Sequence, residues 1–208
     1  MSKPGYGEWA SDGMSMKTAT VMTYSIDKDS GSIHPANQCP SPNQDRRPGA
    51  MTPSLIVLHG ISLPPGEFGG PFIELLFSNK LEPGKHPYFS EIQDLKVSSH
   101  LVIYRDGLVT QFVPFNRRAW HAGESEFLGV ARCNDYSIGV ELEGDDHTAY
   151  SDLQYSALAG IVAELIKCYP SLNARRIAGH CDIAPGRKTD PGPAFDWLRL
   201  YDAVAGIC

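Results

Sequence analysis

Short apolar runs separated by Pro- and Gly-rich segments dominate the middle of the chain and predict the strands of a buried sheet. Residues 54–59 (SLIVLH) form a continuous apolar run of strand length, which is typical of a central strand. Residues 60–70 contain PPG and GG, which neither a helix nor a ladder accommodates, so they predict a loop. Further strands are predicted at residues 98–105, 108–113, 137–143 and 176–180. Asp106 and Gly107, between the first two of these, predict a hairpin with a two-residue turn.

The longest helix signal covers residues 151–169, where apolar positions recur at helical spacing. Ser151 and Gln154 have the spacing of a capping box at its start, and Pro170 follows its end. Shorter helices are predicted at residues 71–78 and 197–205. Because strands and helices mix without strict alternation, the predicted fold class is α/β (α+β), a single domain with a central mixed β-sheet flanked by helices.

The first 38 residues show little periodicity and are rich in Gly, Ser, Lys and Asp. They predict a partly flexible N-terminal extension, with one short strand at residues 18–25. The folded domain is expected to span residues 39–208. It begins with a polar, Pro-rich, extended lead-in at residues 39–53.

Composition narrows the class of protein. With 208 residues, 42% of them hydrophobic and 20% charged, the chain suits one soluble domain with its own core. A formal net charge of -6 does not favour nucleic acid or an anionic membrane, so neither is expected as a partner. The chain is expected to act as a monomer.

Cysteine usage and the N-terminus indicate the compartment. An odd number of cysteines without a C-x-x-C pair predicts free thiols in a reducing environment. Residues 1–25 contain no apolar run of signal-peptide length, and no transmembrane stretch occurs. The cytoplasm is therefore the expected location. The five cysteines are Cys39, Cys133, Cys168, Cys181 and Cys208.

Two histidines and one aspartate stand where a metal site is expected. His59 and His180 are placed at the ends of predicted strands, where loops gather and sites are commonly built. Asp190 lies in KTDPGPAFDW, a loop that its prolines make rigid. Two imidazoles and one carboxylate suit zinc with an open fourth position, the catalytic arrangement. Either histidine alone is also explained as a hydrogen-bonded structural residue.

Charged residues nearby supply the groups that amide hydrolysis needs beside a metal. Glu141 and Glu143 are two apart on a predicted strand, so both face the same side and either is a candidate base. Lys188 precedes Asp190 by two residues and is a candidate partner for a developing oxyanion. His100 and His121 are alternative ligands or outer hydrogen-bonding partners. Cys181 is a poor ligand, since strand neighbours point to opposite faces.

Four segments of the chain carry a family resemblance: LIVLHGISLPPGEFGG, SSHLVIYRDGLVTQFVPFNRRAWHAG, RCNDYSIGVELEG and IAGHCDIAPGRKTDPGPAFDW. Together they resemble the type 2 N-acetylmuramoyl-L-alanine amidases, in particular the cytoplasmic 1,6-anhydro-N-acetylmuramyl-L-alanine amidases. The resemblance runs from about residue 39 to residue 205. It implies the type 2 amidase fold, which is shared with peptidoglycan recognition proteins. It implies zinc-dependent hydrolysis of the bond between (1,6-anhydro-)N-acetylmuramic acid and L-alanine in muropeptides, a step of cell-wall recycling.

The resemblance also implies residue roles. It implies Zn²⁺ ligands at His59, His180 and Asp190. Glu141 is the implied catalytic carboxylate, with Glu143 the nearby alternative, and Lys188 is the implied stabiliser of the tetrahedral intermediate. Trp120 and Arg132 match substrate contacts, Arg132 as the partner of a peptide carboxylate. Gly60 departs from the pattern, because relatives often carry a polar residue after the metal histidine.

The resemblance is compatible with two other functions. A wall-lytic amidase that acts on intact peptidoglycan would use the same catalytic residues. A non-catalytic peptidoglycan-binding module would keep the fold but usually lose a metal ligand. All three implied ligands are present in this chain, together with Glu141 and Lys188, which favours the enzyme.

Overall fold

A six-stranded mixed sheet runs through the centre of the computed structural model, which describes residues 23–207. Helices flank this sheet, so the predicted fold class is confirmed. The helices are α1 Phe72–Phe77, α2 Pro87–Ile92, α3 Asp152–Cys168, α4 His180–Ile183 and α5 Trp197–Ala205. The strands are β1 Ser25–Asp27, β2 Ser32–His34, β3 Asn37–Gln38, β4 Gln44–Arg46, β5 Leu55–Ile61, β6 Leu101–Ile103, β7 Val109–Gln111, β8 Arg117–Ala119, β9 Glu126–Phe127, β10 Val130–Ala131, β11 Ser137–Glu143 and β12 Ile177–Gly179.

Four neighbouring strands of the sheet run parallel. The order is β12-β5-β11-β6-β7-β3, in which β12, β5, β11 and β6 are parallel and β7 is antiparallel to β6. Parallel strands are covered on both faces, which explains why β5 is apolar at every position before His59. The carboxyl ends of β5, β11 and β12 therefore meet at one edge of the sheet.

The two faces of the sheet have different cores, because successive strand residues point to opposite sides. Ile56 and Leu58 pack with α3 and α5 in the main core. Leu55 and Val57 pack on the opposite face, in a smaller cluster. His59 continues this second set, so its side chain lies on the face away from α3.

Helix α3 follows its sequence signal closely. The Ser151 hydroxyl accepts from the Gln154 backbone N–H at 3.1 Å, and the Gln154 side chain accepts from the Ser151 N–H at 3.0 Å. This reciprocal pair is the predicted capping box. The Gln154 amide also donates to the carbonyl oxygens of Ile103 and Glu143, at 3.1 and 2.9 Å, so the cap joins α3 to the sheet.

The strand ends predicted at His59 and His180 are both wrong. Strand β5 continues two residues past His59 to Ile61, because the Gly144 N–H bonds to the Ile61 carbonyl and extends the pairing. Strand β12 stops at Gly179, and His180 opens α4. The Asp182 carboxylate accepts from the Gly179 N–H at 2.7 Å, which begins the helix at this point.

The hairpin of β6 and β7 is present, but its loop has three residues rather than the predicted two. The Tyr104 N–H bonds to the Leu108 carbonyl at 2.9 Å, which leaves residues 105–107 in the loop. Gly107 has φ of 82°, the left-handed conformation that closes a three-residue hairpin loop.

Residues 23–38 differ from the extension predicted for residues 1–38, since they pack on the domain. Strands β1 and β2 pair as a hairpin, and Tyr24 and Ile33 lie buried in the main core. The Gln111 side chain accepts from the Ile33 N–H at 3.0 Å and donates to the Gly31 carbonyl at 2.9 Å. Three-residue strands leave no periodic signal, so the sequence pattern did not reveal them. Residues 1–22, with most of the strand predicted at 18–25, lie outside the described residues.

Other features of the described chain complete the fold. Cys39, Cys133, Cys168 and Cys181 carry free thiols. Between residues 23 and 207, the helices are all too short or too polar to cross a bilayer.

Candidate metal centre and catalytic cavity

Three side chains converge at the carboxyl end of the parallel strands. His59 Nδ1 lies 3.0 Å from His180 Nδ1, and each of these nitrogens lies 3.1 Å from Asp190 Oδ2. His59 belongs to β5, His180 opens α4 directly after β12, and Asp190 lies in the loop before α5. The two histidine side chains are almost fully buried, and that of Asp190 is 18% exposed. The structure therefore brings the three predicted ligands together, and their facing atoms form a three-atom group of His59 Nδ1, His180 Nδ1 and Asp190 Oδ2.

The chemistry of this group fits zinc. Ligand atoms on a tetrahedral zinc lie about 3.3 Å apart, given bonds of about 2.0–2.1 Å to nitrogen and oxygen. His180 Nε2 lies 3.1 Å from the Ala122 carbonyl oxygen, which can only accept. The ring proton therefore lies on Nε2, and Nδ1 presents its lone pair to the group. Burial lowers the pKa of His59 to about 4, so this imidazole is also neutral at pH 7 and able to bind a metal.

Glu141 lies beside this group, in the cavity of about 740 Å³ that all three side chains line. It is in register with His59 on the neighbouring parallel strand β11, so both side chains leave the same face of the sheet. Glu141 is 8% exposed. Burial raises its pKa well above the ordinary value, the charge of Asp190 raises it further, and Lys188 opposes both. Such a carboxylate binds a proton readily, as a general base must.

Glu143 leaves the same face but has a different environment. Its carboxylate oxygens accept from the Gly69 N–H at 2.5 Å and from the Arg105 N–H at 3.2 Å. The first contact holds the loop after β5, and the second holds the turn between β6 and β7. In the loop after β5, the residues Ser62, Leu63, Pro65 and Gly66 line the main cavity. Of the two glutamates that the sequence left open, Glu141 lies in the cavity and Glu143 fixes its rim.

Replacing Glu143 with Gln is expected to weaken the contacts that hold the cavity rim, but not to abolish amide hydrolysis. The substitution removes the charge and one acceptor, so one backbone N–H loses its partner at a cost of about 1.5–3 kcal/mol in the free energy of unfolding. Urea unfolding measures this loss. We expect kcat to change by less than about tenfold, since the side chain lies outside the cavity. A loss of kcat as large as that of Glu141→Gln would contradict this assignment.

The remaining predicted site residues are distributed differently. Lys188 is exposed and lines the cavity mouth close to Asp190. Trp120 and Arg132 are not among the described residues that line this cavity. Trp120 is half-buried, and its backbone pairs with Ser98. Arg132 is exposed, with an ion pair of 3.1 Å to Asp135.

The alternative ligands lie outside the three-atom group. His100 is fixed elsewhere, since its Nδ1 accepts from the Gly139 N–H at 3.0 Å and its Nε2 lies 3.1 Å from the Arg117 carbonyl. His121 contacts the outer nitrogen of His59 at 2.9 Å. The Cys181 thiol lies 3.8 Å from an Asp182 carboxylate oxygen. The prediction that strand alternation separates Cys181 from His180 is wrong, because residues 180–183 form a helix rather than a strand.

Arg187 is a cavity residue that the sequence reasoning did not single out. Its guanidinium donates to the carbonyl oxygens of Ala122, at 2.7 Å, and Glu124, at 2.5 Å. With Lys188 it gives one side of the cavity a positive charge. Asp145 and Asp146 line another part of it. In the sequence, the adjacent basic residues Arg187 and Lys188 before Asp190 are the feature that could have predicted a positively charged side of the cavity.

Comparison with protein families gives one match that spans the site. The family model described as N-acetylmuramoyl-L-alanine amidase (Amidase_2) matches residues 49–193. This span contains the three-atom group, both glutamates and both basic residues of the cavity.

Individual relatives extend the similarity beyond that span. The chain is 57% identical over 170 residues to the 1,6-anhydro-N-acetylmuramyl-L-alanine amidase AmpD of Escherichia coli (strain K12), which covers 82% of this chain and 92% of the relative. A crystal structure of a selenomethionine derivative of AmpD is similar with a TM-score of 0.83 at 54% identity, covering 86% of this chain and 98% of that chain. A crystal structure of AmpDh3 from Pseudomonas aeruginosa, in complex with anhydromuramic pentapeptide, is similar with a TM-score of 0.54 at 26% identity. That similarity covers 75% of this chain and 61% of the other.

Proposed function

Since this chain belongs to the type 2 N-acetylmuramoyl-L-alanine amidase family, we propose that it is a zinc-dependent amidase of cell-wall recycling. Its substrate is a soluble muropeptide, and it cuts the amide bond between 1,6-anhydro-N-acetylmuramic acid and L-alanine. The cytoplasm is the proposed location, as the cysteine pattern predicts. The observation that carries the proposal is the convergence of His59, His180 and Asp190 beside Glu141 in one cavity.

The three-atom group would hold the metal. Zinc bound there lowers the pKa of a coordinated water towards about 7 and polarises the substrate carbonyl. The two histidines would bind the metal through imidazole nitrogens, and Asp190 would add a carboxylate oxygen. Two nitrogens and one oxygen leave a coordination position for substrate and water, as in catalytic zinc sites.

Glu141 is the proposed general base. Its carboxylate removes a proton from the attacking water and later passes that proton to the alanine nitrogen, which then leaves as an amine. Burial and the neighbouring charge of Asp190 raise its pKa, so the protonated form is accessible during the reaction. The register of β11 against β5 puts Glu141 beside His59, with both side chains on the same face of the sheet.

Lys188 is the proposed partner of the developing oxyanion. Its side chain lies at the cavity mouth, two residues before Asp190, and its charge acts on Glu141 and His59. An ammonium group at this point stabilises negative charge on the carbonyl oxygen as the tetrahedral intermediate forms. Because Lys188 is exposed, substrate binding is needed to remove water from it.

Trp120 and Arg132 remain proposed substrate contacts beyond the cavity. Because neither residue lines the cavity, we expect them to contact the sugar and the distal peptide carboxylates of a muropeptide rather than the scissile amide. The open cavity leaves such a substrate room to extend past Arg187 and Lys188. We expect the protein to act as a monomer, without nucleic acid or membrane partners.

The test is hydrolysis of anhydro-N-acetylmuramyl tripeptide, followed by chromatography. Release of free tripeptide is expected from the purified protein, to stop when a chelator removes the metal, and to return when zinc is added. The chelated sample without added zinc is the matched control. Hydrolysis of intact peptidoglycan in preference to the soluble substrate would replace recycling with wall lysis. No release from either substrate by folded, zinc-loaded protein would overturn the amidase proposal.

A further inference from the structure

Residues 121 and 122 each contact one histidine of the three-atom group. His121 Nδ1 lies 2.9 Å from Nε2 of His59, and the Ala122 carbonyl oxygen lies 3.1 Å from Nε2 of His180. In both cases the contact is made to the ring nitrogen that faces away from Asp190. A partner at this position fixes the ring orientation and keeps the inner nitrogen free to bind a metal. One short backbone segment therefore orients two of the three ligands.

The side chain of Asn134 holds this segment. Its Oδ1 accepts from the His121 N–H at 3.1 Å and from the Ala122 N–H at 2.8 Å. Both partners are donors, so the amide oxygen faces the segment. The two contacts fix the consecutive peptide units on either side of the His121 Cα atom, and the second of these units leads directly to the residue whose carbonyl contacts His180.

Asn134 is itself supported by a buried guanidinium. Arg47 is 7% exposed and donates to the carbonyl oxygens of Asn134, Asp135 and Ser137, at 3.4, 3.2 and 2.9 Å. These bonds fix the turn that enters β11. The strand that carries Glu141 and the side chain that holds the segment therefore share one support.

Ser137 and Gly139 of β11 also contact the His121 ring. Its Nε2 lies 3.0 Å from the Ser137 hydroxyl, so both ring nitrogens are engaged. A Cβ atom at Gly139 would come within 2.5 Å of the ring, so any larger residue there would displace His121. The ring is thus held in place by β11 as well as by its backbone.

We propose that Asn134 is a positioning residue for the metal centre, acting on His59 through His121 and on His180 through Ala122. This role rests on the proposed function, because it assumes that the three-atom group binds zinc. Asn134 does not touch the cavity contents. It sets the affinity of the site by fixing the ring orientation of two ligands through a single amide oxygen.

The test compares zinc dissociation constants, measured by competition with a chromogenic chelator, for Asn134→Leu and Asn134→Asp. Leucine has a similar size but no acceptor, and aspartate keeps an oxygen at the same place. We expect Asn134→Leu to weaken zinc binding about 10–100-fold, as loss of an outer partner typically does. Asn134→Asp is expected to retain the affinity within about threefold, because the acceptor remains.

The control for a purely structural effect is Gln111→Leu, which removes another buried amide that accepts a backbone N–H far from the centre. It is expected to lower Tm of the metal-free protein but to keep the zinc affinity. Wild-type affinity in Asn134→Leu, or equal weakening in Gln111→Leu, would overturn the positioning role while leaving the metal centre intact. A wild-type protein that binds no zinc would overturn the proposed centre and this role with it.

Discussion

Replacing Glu141 with Gln is expected to lower kcat on anhydromuramyl tripeptide by about 10²–10⁴-fold, the contribution of a positioned general base. The amide keeps the size of the side chain but cannot take a proton from water. Zinc affinity should stay close to that of the wild type, because Glu141 lies beside the three-atom group and is not one of its members. Steady-state kinetics at saturating zinc and chelator competition measure the two quantities.

Glu143→Gln is the matched control for this loss. It makes the same chemical change two residues along the same strand, but the carboxylate there contacts the Gly69 and Arg105 backbone. A large kcat loss at 141 with a small one at 143 would support the base. Equal losses, or a fully active Glu141→Gln protein, would show that another group accepts the proton.

The same Glu141→Gln substitution is expected to increase the free energy of unfolding of the metal-free protein at pH 8. Burial raises the pKa of this carboxyl group above its unfolded value of about 4.3. Its stabilising contribution is then complete below that value and disappears as pH rises through the folded pKa. The variant should match the wild type near pH 4 and exceed it at pH 8. Urea unfolding at both pH values tests this, and a less stable variant at pH 8 would contradict it.

Replacing Asp190 with Ala is expected to weaken zinc binding by more than the 10–100-fold typical of outer contacts. The substitution removes the only charged member of the three-atom group and leaves two neutral imidazoles. Amidase activity should be lost at one equivalent of zinc and return in part when zinc is in excess. Chelator competition and a zinc titration of tripeptide release measure both effects.

Asp146→Asn is the control for charge in the cavity. Asp146 also lines it, but it does not belong to the three-atom group. Its removal is expected to leave the zinc dissociation constant within about threefold of the wild-type value. Equal weakening by both substitutions would indicate that general charge, rather than coordination by Asp190, holds the metal.

The elements with long periodic signals were predictable from the sequence. Helix α3 carries an apolar stripe and a capping box, and strand β11 begins and ends where its pattern indicated. Short elements were not predictable in the same way. Strands β1 and β2 have three residues each, and the contact of Ile33 with Gln111, 78 positions away, orders them. The sequence around residue 33 does not indicate such a distant contact.

The candidate site, too, could be predicted only in part from the sequence. The residue types for zinc and the two glutamates could be named, but alternation places Glu141 and Glu143 on one face without separating them. The backbone N–H groups of Gly69 and Arg105 distinguish them, because both bond to the Glu143 carboxylate. Asn134 gave no signal in the sequence, since its proposed role depends on backbone donors 12 and 13 positions earlier. His180 opens a helix because Asp182 caps Gly179, a contact that a three-residue strand pattern does not reveal.

The two histidines of the centre are 121 positions apart, and Asp190 lies 131 positions after His59. The centre is therefore incomplete in a growing chain until the segment that carries Asp190 has been synthesised and has folded onto the sheet. Metal captured afterwards favours only the fully folded domain, because an unfolded chain rarely gathers such distant ligands, and the gain grows with the logarithm of metal concentration. Metal-loaded copies should then resist proteases longer than metal-free copies. Metal supply would thus govern how much of this protein a cell retains, as well as how fast each copy works.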